Sequence, residues 1–117
     1  SEFNHCTRFR SIRLETDLSG ADLEGVYLYM ANFSGINLSG ANLSGVNLEK
    51  AWLIGTNLFK TNLSGAKLKN ALLVDVDLTN TNLEGADLEG ASLKGSKLSK
   101  QQIAMLPKLL GIEVIED

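Results

Sequence analysis

A large apolar residue recurs at every fifth position of this chain from Leu18 to Leu98. The series has seventeen members, and all of them are leucine except Phe33. The residue two places before each member is small or β-branched, from Thr16 to Ser96. The residue between these two is Asn or Asp in eleven of the seventeen repeats, and the last position is Gly in ten. A repeat this long and regular specifies a repetitive architecture.

A period of five fits neither regular secondary structure. On an α-helix, at about 100° per residue, successive leucines would step by roughly 140° and scatter around the axis. On a flat strand an odd period sends alternate leucines to opposite faces. If the chain instead turns once per repeat, the small residue and the leucine both point inward and the other three positions face water. Asn, Asp and Gly favour tight turns, which supports this interpretation. The predicted core ladder is Leu18, Leu23, Leu28, Phe33, Leu38, Leu43, Leu48, Leu53, Leu58, Leu63, Leu68, Leu73, Leu78, Leu83, Leu88, Leu93 and Leu98.

The motif A-(D/N)-L-x-x covers residues 16–100 without a gap and resembles the pentapeptide repeat proteins. The resemblance implies an all-β solenoid, namely a right-handed quadrilateral β-helix of about five coils with four pentapeptides in each. Residues 1–15 are predicted to form an irregular first coil. There, Arg8 and Arg13 stand where leucine is expected, and Phe9 and Leu14 are displaced from the frame by one place.

Residues 101–117 break the repeat where a solenoid needs a cap over its last coil. Ser99 followed by Gln102 predicts a capping box that opens a short helix, and Gly111 predicts its end. Pro107 is expected to kink or divide that helix.

Residues 112–115 are predicted to form a short strand after the helix. The whole segment is interpreted either as a C-terminal cap or as a contact between two copies. A contact is considered because the apolar side chains exceed what a thin cap can hide, and because a helix followed by a strand is similar to the dimerising segment of topoisomerase-protecting family members. The apolar residues concerned are Ile103, Leu106, Leu109, Leu110 and Val114.

Residues twenty places apart should stack on one face if four pentapeptides complete a coil. One face is then wholly polar, whereas another collects large apolar side chains at positions that usually carry Asn or Ser. Exposed apolar clusters on a protein surface commonly mark interaction sites, and Trp and Tyr are favoured there. The alternative is that these are harmless substitutions in a tolerant repeat. The candidate partner surface comprises Trp52, Ile54, Leu72 and Val74, with Phe59, Tyr27 and Tyr29 beside them.

Several classes of activity find no support in the sequence. The net charge of −3 argues against direct nucleic-acid binding, and no apolar run is long enough to predict membrane insertion. His5 is the only histidine and adjoins Cys6, so neither a catalytic triad nor a zinc site has enough partners. We therefore predict no enzymatic activity, cofactor or metal. Because Cys6 is also the only cysteine, nothing indicates an oxidising compartment; the cytoplasm is slightly favoured, and the periplasm and thylakoid lumen stay open.

Two functional hypotheses follow. The first is a non-enzymatic structural or protein-interaction module that presents a rigid β-helical surface to an unidentified protein partner, with a homodimer through the C-terminal segment as a further option. The alternative, implied by the resemblance, is a DNA-mimicking inhibitor or protector of a type II topoisomerase such as gyrase. The modest net charge and the short repeat region argue against this alternative.

Overall fold

Parallel bridges between residues twenty places apart organise the computed structural model, which describes residues 17–115. The first bridge joins Asp17 to Asn37 and the last joins Asp77 to Lys97. Each coil therefore contains four pentapeptides, and each pentapeptide contributes one side. The bridges are isolated, and no longer strand is present among the described residues.

Backbone hydrogen bonds hold the coils together in both directions. The Leu43 N–H donates to the Asn62 carbonyl at 2.8 Å, and the Asn62 N–H donates to the Ala41 carbonyl at 3.0 Å. Within a coil the Ala41 N–H donates to the Leu38 carbonyl at 3.0 Å, which closes the turn between consecutive pentapeptides. The same bonds recur along most of the chain, so the backbone is satisfied coil by coil.

The predicted core ladder is buried from Leu18 to Leu88. Burying a leucine contributes about 1.5–3 kcal/mol of transfer free energy. Leu93 and Leu98 are half-buried and pack against the core that the other members form. They belong to the last coil, which has no further coil beneath it.

Buried threonines at the small position of the repeat keep their hydroxyl groups paired. A hydroxyl that loses water without gaining a partner is costly, and here each one donates to a backbone carbonyl in the preceding coil. The bonds run from Thr56 to Phe33 at 2.7 Å, from Thr61 to Leu38 at 2.7 Å and from Thr81 to Leu58 at 2.9 Å.

The frequent Asn or Asp before each leucine has a direct structural cause. In all eleven repeats that carry Asn or Asp there, a side-chain oxygen accepts a hydrogen bond from the N–H two residues later, at 2.9–3.2 Å. This Asx turn pre-orders the corner of the coil. The Ser19 backbone N–H, together with its side chain, lowers the pKa of Asp17. The Thr79 hydroxyl and backbone N–H likewise lower the pKa of Asp77.

One corner departs from the regular geometry. The residue that ends each repeat between Gly20 and Gly95 has a φ of 57–79° except Asn80. The Lys60 N–H donates to the Asn80 carbonyl, twenty places later, whereas the Lys50 N–H donates to the Lys69 carbonyl, nineteen places later. The register at Lys60 is therefore shifted by one residue, as in a β-bulge. The regular bridge between Asn57 and Asp77 is absent there, and a cavity of about 140 Å³ lies between the coils.

Helix α1, Lys100–Leu109, covers the end of the core. Ser99 is its N-cap, and the capping box with Gln102 is present: the Gln102 N–H donates to Ser99 Oγ at 3.1 Å, and the Ser99 N–H donates to Gln102 Oε1 at 2.9 Å. The buried Gln102 Nε2 also donates to the carbonyls of Leu78 and Thr81. One glutamine therefore starts the helix and satisfies carbonyls of the last coils.

Helix α1 ends at a Schellman motif with Gly111 at a φ of 72°. The Gly111 N–H donates to the Lys108 carbonyl, and the Ile112 N–H donates to the Pro107 carbonyl. Pro107 was expected to kink or divide the helix, and it does not divide it, because it removes a single hydrogen bond close to the C-terminal end. The short strand expected at residues 112–115 is also absent, since residues 113–115 have no backbone hydrogen bond to any described part of the chain.

Candidate partner-binding surface

Trp52 lies on the side of the solenoid formed by the pentapeptides centred on Phe33, Leu53, Leu73 and Leu93. The backbone N–H of Trp52 donates to the Ala31 carbonyl at 2.8 Å, and the Trp52 carbonyl accepts from the Phe33 N–H at 2.7 Å. These two bonds hold the backbone in place. Trp52 is nevertheless 51% exposed, and Ile54 beside it is also exposed. A rigid backbone thus presents two apolar side chains to solvent.

Leu72 and Val74 belong to the coil below and are only half-buried. Trp52 is bridged to Leu72, so the two side chains stand in register on adjacent coils. Of these four residues of the candidate surface, Trp52 and Ile54 are therefore exposed, whereas Leu72 and Val74 are only partly so. They support the exposed pair from beneath because stacked side chains on neighbouring coils cover one another.

Trp52 also removes a hydrogen bond that the fold otherwise uses. In the polar repeats Asn or Asp at this position forms an Asx turn, whereas the Ile54 N–H instead donates to Ser34 Oγ at 3.3 Å. An intramolecular hydrogen bond of this kind contributes about 0.5–1.5 kcal/mol. The apolar residue therefore has no role in closing the turn, and the same is true of Leu72.

Phe59 extends the apolar surface round the next corner of the solenoid. Phe59 is 50% exposed, and Lys60 Nζ lies 5.4 Å from the centroid of its ring. Asn57, two residues earlier, retains its Asx turn with the Phe59 N–H at 3.1 Å. The shifted register between Lys60 and Asn80 lies at this same position, and bulges often reorient neighbouring side chains.

Tyr27 and Tyr29 border the surface on the preceding side. Their rings stack with centroids 6.0 Å apart and an interplanar angle of 16°. Tyr27 is exposed and Tyr29 is half-buried. Lys50 Nζ lies 5.9 Å from the Tyr29 ring centroid, within the range of a cation–π interaction.

Two residues of this surface were not among the sequence-based candidates. Met30 and Lys50 end their repeats, and with Asn32 and Trp52 they line a shallow cavity of about 180 Å³. Both occupy a position that is usually Gly, so the departure from the repeat was the available signal. We call Trp52, Ile54 and Phe59, with Lys50 and Lys60 at their two ends, the apolar belt.

The side centred on Leu23, Leu43, Leu63 and Leu83 provides a contrast. Its outward positions form Asx turns, and the Asn42 amide donates to Asp22 at 3.4 Å. Its outward side chains are all polar. They are Asp22, Glu24, Asn42, Ser44, Asn62, Ser64, Asn82 and Glu84.

The residues proposed for a cap or dimer contact divide into two groups. Leu109 is buried, and Leu106 and Leu110 pack half-buried against the core, so these three form the cap. Ile103 and Val114 are 54% and 67% exposed. The exposed group also includes Ile112 and Ile115, which the sequence analysis placed in a strand.

The remaining sequence-based expectations concern the first coil, metal binding and membrane insertion. The irregular first coil, with Arg8, Arg13, His5 and Cys6, lies outside the described residues. In the part of the chain that the structure describes, no three His, Cys, Asp or Glu side chains are grouped to hold a metal ion. None of its helices has the length and apolar character needed to cross a membrane.

Parallel coils of twenty residues around a leucine ladder define a β-helical solenoid. The pentapeptide repeat family model matches residues 21–58 and 61–99 in eight copies, and the chain belongs to this family. This membership implies the right-handed quadrilateral form of the β-helix. No curated protein sequence matches the chain.

Solved structures of pentapeptide repeat proteins resemble the chain. One, from the Arabidopsis thaliana thylakoid lumen, is 33% identical, with a TM-score of 0.64 over 80% of this chain and 75% of that one. HetL of the cyanobacterium Nostoc sp. strain PCC 7120, involved in heterocyst differentiation regulation, is 32% identical. Its TM-score is 0.69 over 80% of this chain and 45% of HetL. QnrB1, a plasmid-mediated fluoroquinolone resistance protein, is 25% identical with a TM-score of 0.40, which is too low to support a functional comparison.

Proposed function

We propose that this chain is a non-enzymatic protein-interaction module whose β-helix presents the apolar belt to a protein partner. The observation that carries the proposal is the half-exposed Trp52 at a position where eleven of the seventeen repeats place Asn or Asp. A large exposed aromatic side chain that does not serve the fold is typical of the centre of an interface.

The rigidity of the scaffold supports this function. Trp52 and Ile54 stand on a coil that bonds to the coils above and below, as in the Gly55 N–H to Val74 bond at 2.9 Å. Binding therefore requires little ordering of the backbone, which reduces the entropic cost of association. We also infer that the β-helix is right-handed.

The test is affinity capture from an extract of the source organism with the full chain as bait. Trp52→Ser and Ile54→Ser should each reduce recovery of a specific partner by at least about tenfold, as expected for residues at an interface centre. Glu84→Ser is the matched control, because Glu84 occupies the same repeat position as Ile54 on the polar side. It should leave recovery unchanged.

Circular dichroism and thermal melting establish that each variant keeps the fold. Equal recovery by the folded Trp52→Ser and Glu84→Ser variants would refute the proposed surface. Loss of recovery only in unfolded variants would assign the effect to the scaffold rather than to the belt.

A DNA-mimicking inhibitor is less compatible with the charges on the described coils. The bridges span four coil spacings from Asp17 to Lys97, or roughly 19 Å at about 4.8 Å each. A DNA duplex of that length carries roughly eleven phosphate charges, at one per about 1.7 Å. On these coils, residues 17–99 carry nine acidic side chains and six lysines, a net charge of −3. A gyrase supercoiling assay with excess protein should therefore show no inhibition.

A further inference from the structure

A second exposed apolar group lies beyond the end of helix α1. Ile112, Val114 and Ile115 are all exposed, Ile115 to 76%, and Glu113 stands between the first two. Residues 113–115 make no backbone hydrogen bonds to the described part of the chain. We call residues 112–115 the tail: an apolar segment that carries a negative charge.

The apolar belt has the opposite charge. Lys50 and Lys60 stand at its two ends, each with its ammonium group over an aromatic ring. Among residues 17–115 the salt bridges involve Lys69 with Asp87 and Glu89, and neither belt lysine has a carboxylate within 4.0 Å. The belt can therefore accept an acidic group at either end without breaking an ion pair in the described chain.

We propose that the tail of one copy of this chain docks on the apolar belt of a second copy. The proposal rests on the proposed function of the belt and names its occupant. In an extended tail Ile112 and Val114 project to the same side, where they can cover Trp52 and Ile54. Glu113 projects to the opposite side of the extended tail, and its carboxylate adds a longer-range attraction to the belt lysines beside the apolar contact.

The two surfaces belong to different parts of the solenoid. Trp52 stands two coils before the last repeat on its side, a separation of roughly 10 Å at about 4.8 Å per coil, and the tail follows α1. Each copy consequently offers one belt and one tail. Such a heterologous contact joins copies head to tail, and it forms rings or open chains rather than a symmetric dimer.

The decisive experiment mixes two variants, each of which retains one half of the contact. Trp52→Ser removes the centre of the belt and keeps the tail, whereas a chain with Ile112→Ser and Val114→Ser keeps the belt and loses the tail. Trp52 is the only tryptophan, so in the mixture its emission reports only the intact belt. Sedimentation velocity and tryptophan emission would be followed from about 1 µM to about 1 mM, the range of weak contacts.

The wild-type chain should grow beyond a dimer as its concentration rises. Each variant alone should remain a monomer, and their equimolar mixture should form a dimer and nothing larger. Tryptophan emission should shift to shorter wavelength only in the mixture. Lys50→Glu with Lys60→Glu should weaken wild-type association by about tenfold or more, and adding Glu113→Lys to the same chain should restore it.

Four results would overturn the proposal. A monomeric wild type at every concentration would show that a second copy is not the occupant, while partner capture through Trp52 would remain a separate test of the proposed function. A monomeric mixture beside an associating wild type would indicate a symmetric contact. Loss of association in Ile103→Ser, which alters neither belt nor tail, would assign the contact to α1. A tail-dependent emission shift in a monomer would mean that each belt binds its own tail.

Discussion

Gln102 connects the cap to the solenoid, and removing its side chain should destabilise the whole fold. Its amide donates to the carbonyls of Leu78 and Thr81, and its Oε1 accepts from the Ser99 N–H. Gln102 is buried at 7% exposure, so water cannot fully replace these bonds. Three bonds at about 0.5–1.5 kcal/mol each predict that Gln102→Ala lowers the free energy of unfolding by about 1.5–4.5 kcal/mol.

Equilibrium urea denaturation measures this loss directly. The matched control is Gln101→Ala, because Gln101 is exposed on the same turn of α1 and should change stability by less than about 0.5 kcal/mol. Gln102→Glu sharpens the test, since the carboxylate would face the Leu78 and Thr81 carbonyls in place of the amide. Burial and these carbonyls should raise the pKa of the introduced carboxyl in the folded state, so the variant should regain stability as the pH falls and the group becomes protonated. Equal unfolding free energies for Gln102→Ala and Gln101→Ala would refute this role of the cap.

Three other predictions concern the repeat itself. Leu63→Ala should lower the free energy of unfolding, measured by urea denaturation, by about 2–5 kcal/mol, and Leu93→Ala should lower it less because Leu93 is only half-buried. Equal losses in the two variants would contradict the observed difference in burial. Asn62→Ala should cost about 0.5–1.5 kcal/mol by removing the Asx bond to the Ser64 N–H, whereas Asn62→Asp should retain the bond. Equal losses of stability in both variants would show that the loss does not come from this bond. Asp77 has a lowered folded-state pKa, so its contribution to stability is present above its unfolded pKa and disappears as the pH falls through the folded value. Asp77→Asn should therefore reduce the loss of stability between about pH 5 and 2. An unchanged dependence of stability on acid pH would contradict this prediction.

The repeat made most of the fold predictable from the sequence. Leucine spacing indicates which side chains are buried, and the capping box of Ser99 and Gln102 indicates where the helix begins, because both depend on contacts close in sequence or repeated at a fixed period. The sequence predicted a kink or a division of the helix at Pro107, and the helix is not divided there, since local propensity does not show how near the helix end the lost bond lies. The strand at residues 112–115 was also predicted wrongly, because a strand needs a partner edge and alternation alone cannot provide one.

The candidate surface was only partly predictable. Departures from the repeat identified Trp52, Ile54 and Phe59, all of which are exposed. Leu72 has the same repeat position as Trp52 yet is half-buried, because its exposure depends on the side chain stacked above it. The positions of the lysine ammonium groups over Tyr29 and Phe59 depend on side-chain conformations that a repeat pattern does not specify.

Site-specific photo-crosslinking tests the central claim most directly. A benzoylphenylalanine would replace Ile54 in the apolar belt, and in a second chain it would replace Glu84, which has the same repeat position on the polar side. Both chains would be irradiated in an extract of the source organism at the same concentration. A binding function of the belt predicts a discrete crosslinked product from position 54 and none from position 84. The absence of a product at position 54, or the same products from both positions, would contradict the claim.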